Sequence, residues 1–132
     1  MTIRTRIQFV VPFVAVLAAV QVAPAQAQPQ VVCNIVGGDE AYQTVHQPQE
    51  NPLKMDSVDT KRGFRFSGIL LDKPSKFKSY VYYESKDRFV LISKQETVLS
   101  EKMCGEKLWV GEAYSPYLEN HLSHECEYRC AP

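Results

Sequence analysis

Four cysteines, Cys33, Cys104, Cys126 and Cys130, constrain the fold of this chain more than any other feature. They stand downstream of a segment with the three parts of an export leader. Arg4 and Arg6 form a basic start, Phe9 to Val20 is apolar apart from Pro12, and Ala25-Gln26-Ala27 is an A-x-A cleavage site. The apolar run is too short to span a bilayer comfortably. Residues 1–27 are therefore expected to be a cleaved signal peptide. Residues 28–132 are expected to be a single exported β-domain, periplasmic or secreted. An even cysteine count in a small exported domain predicts two disulfides, in one of three connectivities.

The last strand-like segment narrows those three. In Glu125-Cys126-Glu127-Tyr128-Arg129-Cys130 the charged residues alternate with Cys126, Tyr128 and Cys130, which is the period of a strand with one wet and one buried face. Four residues along a strand span about 13 Å. A disulfide needs Cα atoms within about 7 Å. Cys126 and Cys130 are thus not expected to bond to each other; one takes Cys33 and the other Cys104. A bridge from Val31-Val32-Cys33-Asn34-Ile35-Val36 to the final strand would close nearly the whole domain. In the chain-entropy picture that contributes roughly 4–5 kcal/mol.

Between these ends the chain reads as short strands and turns. Gly37-Gly38 ends the first strand, and Thr44-Val45-His46 makes a second. Gln47-Pro48-Gln49-Glu50-Asn51-Pro52 reads as a loop, since each proline disfavours helix in its predecessor. Gly63 to Leu71 places Phe64, Phe66 and Leu70 on one face. Asp72-Lys73-Pro74-Ser75 turns, and Phe77 to Glu84 is rich in aromatic and β-branched residues. Ser85-Lys86-Asp87 turns again into Arg88 to Ser93, completing a three-stranded antiparallel meander. Glu96 to Leu99 extends that strand or starts a helical turn. Lys107 to Val110 is a further strand, and Ser115-Pro116 opens a helical turn with Leu118 and Leu122 on one face. The fold class expected is all-β: a small antiparallel β-sandwich or open barrel of six to seven short strands, disulfide-stapled, with at most one short helix.

Charge excludes one class of partner. Arg4 and Arg6 are the only charged residues among the first 27, so the remaining 105 residues hold 13 basic against 15 acidic side chains. Nucleic-acid binding would want a basic surplus on one face. No P-loop, G-x-S-x-G or H-E-x-x-H is present, and no cofactor is expected. Ile35-Val36-Gly37-Gly38 matches the opening of mature chymotrypsin-like proteases, but only 94 residues follow Gly38 and no Gly-Asp-Ser-Gly is among them.

The residue types in H-x2-H-x-C-x3-C, from His121 to Cys130, are those of a zinc or copper site. Their spacing fits no standard module, and an oxidising compartment would bond the cysteines first. A weaker site from His121 and His124, joined by His46, is the remaining metal possibility. Thiol redox catalysis would want C-x-x-C at a helix start, whereas the close pair here is C-x3-C. The aromatic residues point elsewhere. If Val81 and Tyr83 face the core, Tyr80 and Tyr82 stand on the outer face with Lys78, an arrangement suited to recognition; Trp109 is the remaining candidate binding residue. The sequence therefore favours a non-catalytic binding or accessory module acting with a protein partner at the cell envelope, without membrane insertion after leader cleavage. A soluble ligand- or metal-binding protein using the C-terminal histidines stands second, and a small hydrolase third.

Overall fold

The computed structural model describes residues 28–116 and 119–131. The expected leader, residues 1–27, and Leu118 of the expected helical turn lie outside the described residues. The described chain forms nine strands in two sheets. They are β1 (Gln30–Gly37), β2 (Glu40–His46), β3 (Pro48–Gln49), β4 (Asp56–Asp59), β5 (Phe64–Leu71), β6 (Lys76–Ser85), β7 (Arg88–Val98), β8 (Lys107–Tyr114) and β9 (His121–Arg129). One sheet has the order β2-β1-β9-β8. The other runs β5-β6-β7, with β3 and β4 both along the free edge of β5. A single 3-10 turn at Glu101–Met103 is the only helical element among the described residues. The architecture is the disulfide-stapled β-sandwich that alternation and cysteine spacing predict.

Each sheet turns one face inward because the strands alternate. From the four-stranded sheet come Val31, Cys33 and Ile35 of β1 and Leu122, Cys126 and Tyr128 of β9. From the five-stranded sheet come Phe64, Phe66 and Leu70 of β5 and Phe77 and Val81 of β6. All are buried. At about 1.5–3 kcal/mol for a fully buried large apolar side chain, this interior is the main stabilising term.

Both disulfides pair the cysteines as the spacing argument requires. Cys33 and Cys126 are directly opposed in the antiparallel β1–β9 register, with Cα atoms 4.1 Å apart, close to the separation of a non-hydrogen-bonded cross-strand pair. Cys104, just after the 3-10 turn, bonds Cys130 at the end of β9. Neither bond joins Cys126 to Cys130.

The structure departs from the sequence reading in two places and settles a third. The strand count is nine rather than six or seven, because Pro48–Gln49 and Asp56–Asp59 pair with β5. Pro48 is tolerated there because it lies in an edge strand, where a missing N–H is harmless. Of the two readings of Glu96 to Leu99, strand extension holds: β7 runs on through Val98. After β8, Ser115 closes a turn: its amide donates to the Asn120 carbonyl at 2.9 Å and its hydroxyl accepts from the Asn120 amide at 3.3 Å. Leu122 then falls within β9 and packs inward rather than lying on a helical turn.

The β6–β7 hairpin is the tightest connection. Ser85 and Arg88 pair across a two-residue loop in which Lys86 and Asp87 have φ of 51° and 63°. Positive φ at both positions is the type I′ geometry that matches strand twist. A bulge follows between Val81 and Tyr82 of β6, opposite Ile92 of β7.

Candidate functional site

The outer face of the five-stranded sheet carries aromatic and charged side chains held by mutual contacts. In β6 the inward series is Phe77, Ser79 and Val81. The outward series is therefore Lys76, Lys78, Tyr80 and Tyr82. Tyr80 and Tyr82 are half-buried, with ring centroids 6.3 Å apart and 25° between planes.

Tyr82 sits opposite Arg65 of β5 in the register. Arg65 is held from two sides. It donates two hydrogen bonds to the Asp59 carboxylate, at 2.6 and 2.8 Å, and its guanidinium lies 3.9 Å above the Phe89 ring. The hydrogen bonds from Arg65 hold the Asp59 carboxyl below the usual range. An Arg stacked on a ring and forked to a carboxylate has little conformational freedom left to lose on binding a partner.

Beside this group lies a shallow depression of about 210 Å³, lined by Met55, Ser57, Arg65, Ser67, Tyr82 and Phe89. Its floor includes the Ser57 and Ser67 hydroxyls, which hydrogen-bond at 2.7 Å across the β4–β5 pair. Lys78 lies on the same sheet face. Glu96 of β7 draws in Lys76 at 2.7 Å and Lys78 at 3.8 Å, and the Lys76 hydrogen bond lowers the Glu96 carboxyl. The sheet thus brings Lys78, Tyr80 and Tyr82 together. Arg65, Phe89 and Met55 complete the surface. Arg65 and Phe89 carried no signal in sequence, since only the β4–β5–β6–β7 pairing makes them neighbours.

Trp109 is elsewhere. It belongs to β8 of the other sheet and points inward with Gly111 and Ala113, while Val110 and Tyr114 point out. It joins a closed circuit of five rings between the sheets. His46–Phe77 centroids are 5.2 Å apart, Phe77–Trp109 6.2 Å, Trp109–His124 4.5 Å, His124–Phe66 5.5 Å and Phe66–His46 6.4 Å. All five separations lie in the range of favourable aromatic contact.

The three histidines are dispersed. His121 is exposed at the start of β9, near Tyr114. His124, three residues on, faces the opposite way and is buried, so the two rings cannot share one ion. Desolvation in this apolar setting pushes the His124 imidazole down to about 4. His46 is fully enclosed. Burial lowers its pKa as well, against the opposing pull of the nearby Asp56 carboxylate. Among the described residues no three His, Cys, Asp or Glu side chains form a metal-holding group.

Each buried imidazole rests on a glycine. A Cβ on Gly68 would come within 2.5 Å of the His46 ring, and one on Gly111 within 2.7 Å of the His124 ring. Thr44 also hydrogen-bonds His46 Nε2 at 2.8 Å, while Nδ1 lies 3.8 Å from Asp56 Oδ2. Hydroxyl, imidazole and carboxylate are the atom types of a hydrolase triad. Here the imidazole is sealed from solvent, against Phe66 and Phe77. The three side chains come from β2 of one sheet and β4 of the other, and Nδ1 makes no hydrogen bond to the carboxylate.

No protein-family model matches the chain, nor does any curated protein or solved structure.

Proposed function

We propose that this chain is an exported, non-catalytic recognition module, and that it binds a protein partner through the outer face of its five-stranded sheet around Tyr80 and Tyr82. The observation that carries the reading is the Tyr82–Arg65–Phe89 group. Aromatic and arginine side chains dominate the energetics of protein interfaces, and here they are pre-ordered by a cation–π contact and a forked ion pair. The adjoining depression is of a size to take one side chain of a partner, not a drug-sized substrate.

Export to an oxidising compartment such as the periplasm is part of the proposal. Two disulfides and no free cysteine among the described residues support it. Among those residues no helix is long and apolar enough to cross a membrane. A role for the C-terminal histidines in metal or ligand binding has no comparable support, since His121 and His124 lie on opposite faces of β9.

The test is affinity capture from envelope fractions with the wild-type chain and with Tyr82→Ala, Arg65→Ala and, as a control on the other sheet, Val45→Ala. The proposal expects a partner retained by wild type and Val45→Ala and lost from the other two. Equal retention by all four proteins would place the interface elsewhere.

A further inference from the structure

The two disulfides occupy opposite environments. Cys33–Cys126 is sealed, both residues being 0% exposed within the interior between the sheets. Cys104 is exposed and Cys130 half-buried. Both line an open depression of about 370 Å³, together with Pro29, Glu101, Tyr128 and Ala131. The bond spans only 26 residues, against 93 for the other, and joins the β7–β8 connection to the end of β9.

We propose that Cys104–Cys130 is a thiol–disulfide exchange site, opened and closed by a partner protein carrying a pair of thiols, and that Cys33–Cys126 takes no part. Exchange requires a thiolate to reach a disulfide sulfur, so access decides which bond reacts. Attack falls on Cys104, the exposed member. The partner's thiolate bonds to Cys104 Sγ as the Cys104–Cys130 bond breaks. The electron pair leaves on Cys130 Sγ, which takes up a proton. The partner's second thiol, as thiolate, then attacks its own first sulfur in the mixed disulfide, and Cys104 departs as a thiolate and is protonated. The partner's two thiols end as one disulfide, and one disulfide of this chain ends as two thiols. An oxidised partner runs the same steps in reverse.

The surroundings allow opening without unfolding. The Gly105 amide donates to the Tyr128 carbonyl at 2.7 Å, and the Tyr128 amide donates to the Glu106 carbonyl at 3.1 Å. These bonds keep the β7–β8 connection docked beside β9 when the covalent link is gone, and Cys33–Cys126 still holds β1 to β9.

The experiment has three readouts. Native protein is treated with increasing dithiothreitol, alkylated and mapped by mass spectrometry. Cys104 and Cys130 are expected to be labelled at reductant concentrations at least ~10-fold below those that label Cys33 and Cys126. Labelling of all four together, or of Cys33 and Cys126 first, overturns the proposal. A C-x-x-C dithiol protein whose second cysteine is replaced by Ser is then used as a trap. An adduct at Cys104 supports the proposal; no adduct, or one at Cys33 or Cys126, overturns it. Finally, the Cys104→Ser/Cys130→Ser variant is expected to keep a wild-type β-sheet circular dichroism spectrum. Loss of that spectrum would make the bond a structural staple and overturn reversible opening.

Discussion

The His46 imidazole lies directly on Gly68, so closely that a single added methyl at residue 68 would approach the ring to within 2.5 Å. The contact crosses between the sheets, from β2 to β5. It explains why a glycine sits between Phe66 and Leu70 on the inward face of β5. The His124–Gly111 pair is a second ring-on-glycine contact, but within one sheet, where the two residues stand directly opposite each other in the β8–β9 register.

Gly68→Ala and Gly111→Ala are therefore expected to destabilise the fold by about 1–3 kcal/mol each, the range for overpacking a closed interior. Equilibrium urea denaturation of the oxidised protein measures this. Gly37→Ala is the control. Its added Cβ meets nothing nearer than 3.6 Å, and it should cost less.

The buried histidines give stability a pH dependence of definite sign. Burial holds the folded-state value of His124 at about 4, below the 6.5 of an unburied ring. Between those values the unfolded chain binds the proton and the folded chain does not. The contribution is present in full above about pH 6.5 and is lost as pH falls towards 4. For His124 the loss is about 3 kcal/mol across that window. The rings facing it are Trp109 and Phe66, and burial is the cause of its shift. His46 adds to the same trend, reduced by Asp56. Urea midpoints measured from pH 7 to pH 4 should fall, and His124→Gln should flatten the slope.

The same histidine shows how far the sequence could be read. His124, Cys126 and Tyr128 alternate with Glu125, Glu127 and Arg129, so that part of the inward face of β9 was legible, whereas Leu122 read as part of a helical turn. Period-two spacing also separated Cys126 from Cys130 as bonding partners. The β5–β6–β7 meander was legible because its strands are aromatic and β-branched and its turns short. β3 and β4 were not. Asp56 to Asp59 holds one apolar residue, Val58, and becomes a strand only because the edge of β5 offers it backbone partners. The position of Trp109 was hidden for a different reason. Leu108-Trp109-Val110 is apolar throughout, so alternation assigns no face, and a bulge between Lys107 and Trp109 shifts the register with β9. The Arg65–Phe89 contact joins residues 24 apart in sequence, from strands that are not neighbours in the sheet.

Removing the sealed disulfide should cost more than removing the exposed one. In the chain-entropy model the 93-residue closure of Cys33–Cys126 contributes about 4.6 kcal/mol and the 26-residue closure of Cys104–Cys130 about 3.5 kcal/mol. Double alanine variants of each pair, unfolded thermally side by side, should show the larger fall for Cys33→Ala/Cys126→Ala.

The β6–β7 turn holds two non-glycine residues at positive φ, a conformation that costs L-residues roughly 1 kcal/mol each. Replacing Lys86-Asp87 with Asn-Gly, the residues that type I′ turns favour, should stabilise the fold by about 1 kcal/mol. An unchanged or lower urea midpoint would contradict the turn assignment.

Recognition through the Tyr80–Tyr82 face is tested most directly by photocrosslinking in cells that export the chain. A benzophenone amino acid is placed at position 82 in one variant and at position 45, on the outer face of the opposite sheet, in another. A single discrete adduct is expected from position 82, absent from position 45 and abolished when Arg65→Ala is added. No adduct from position 82, or the same adduct from both positions, would contradict recognition through this face.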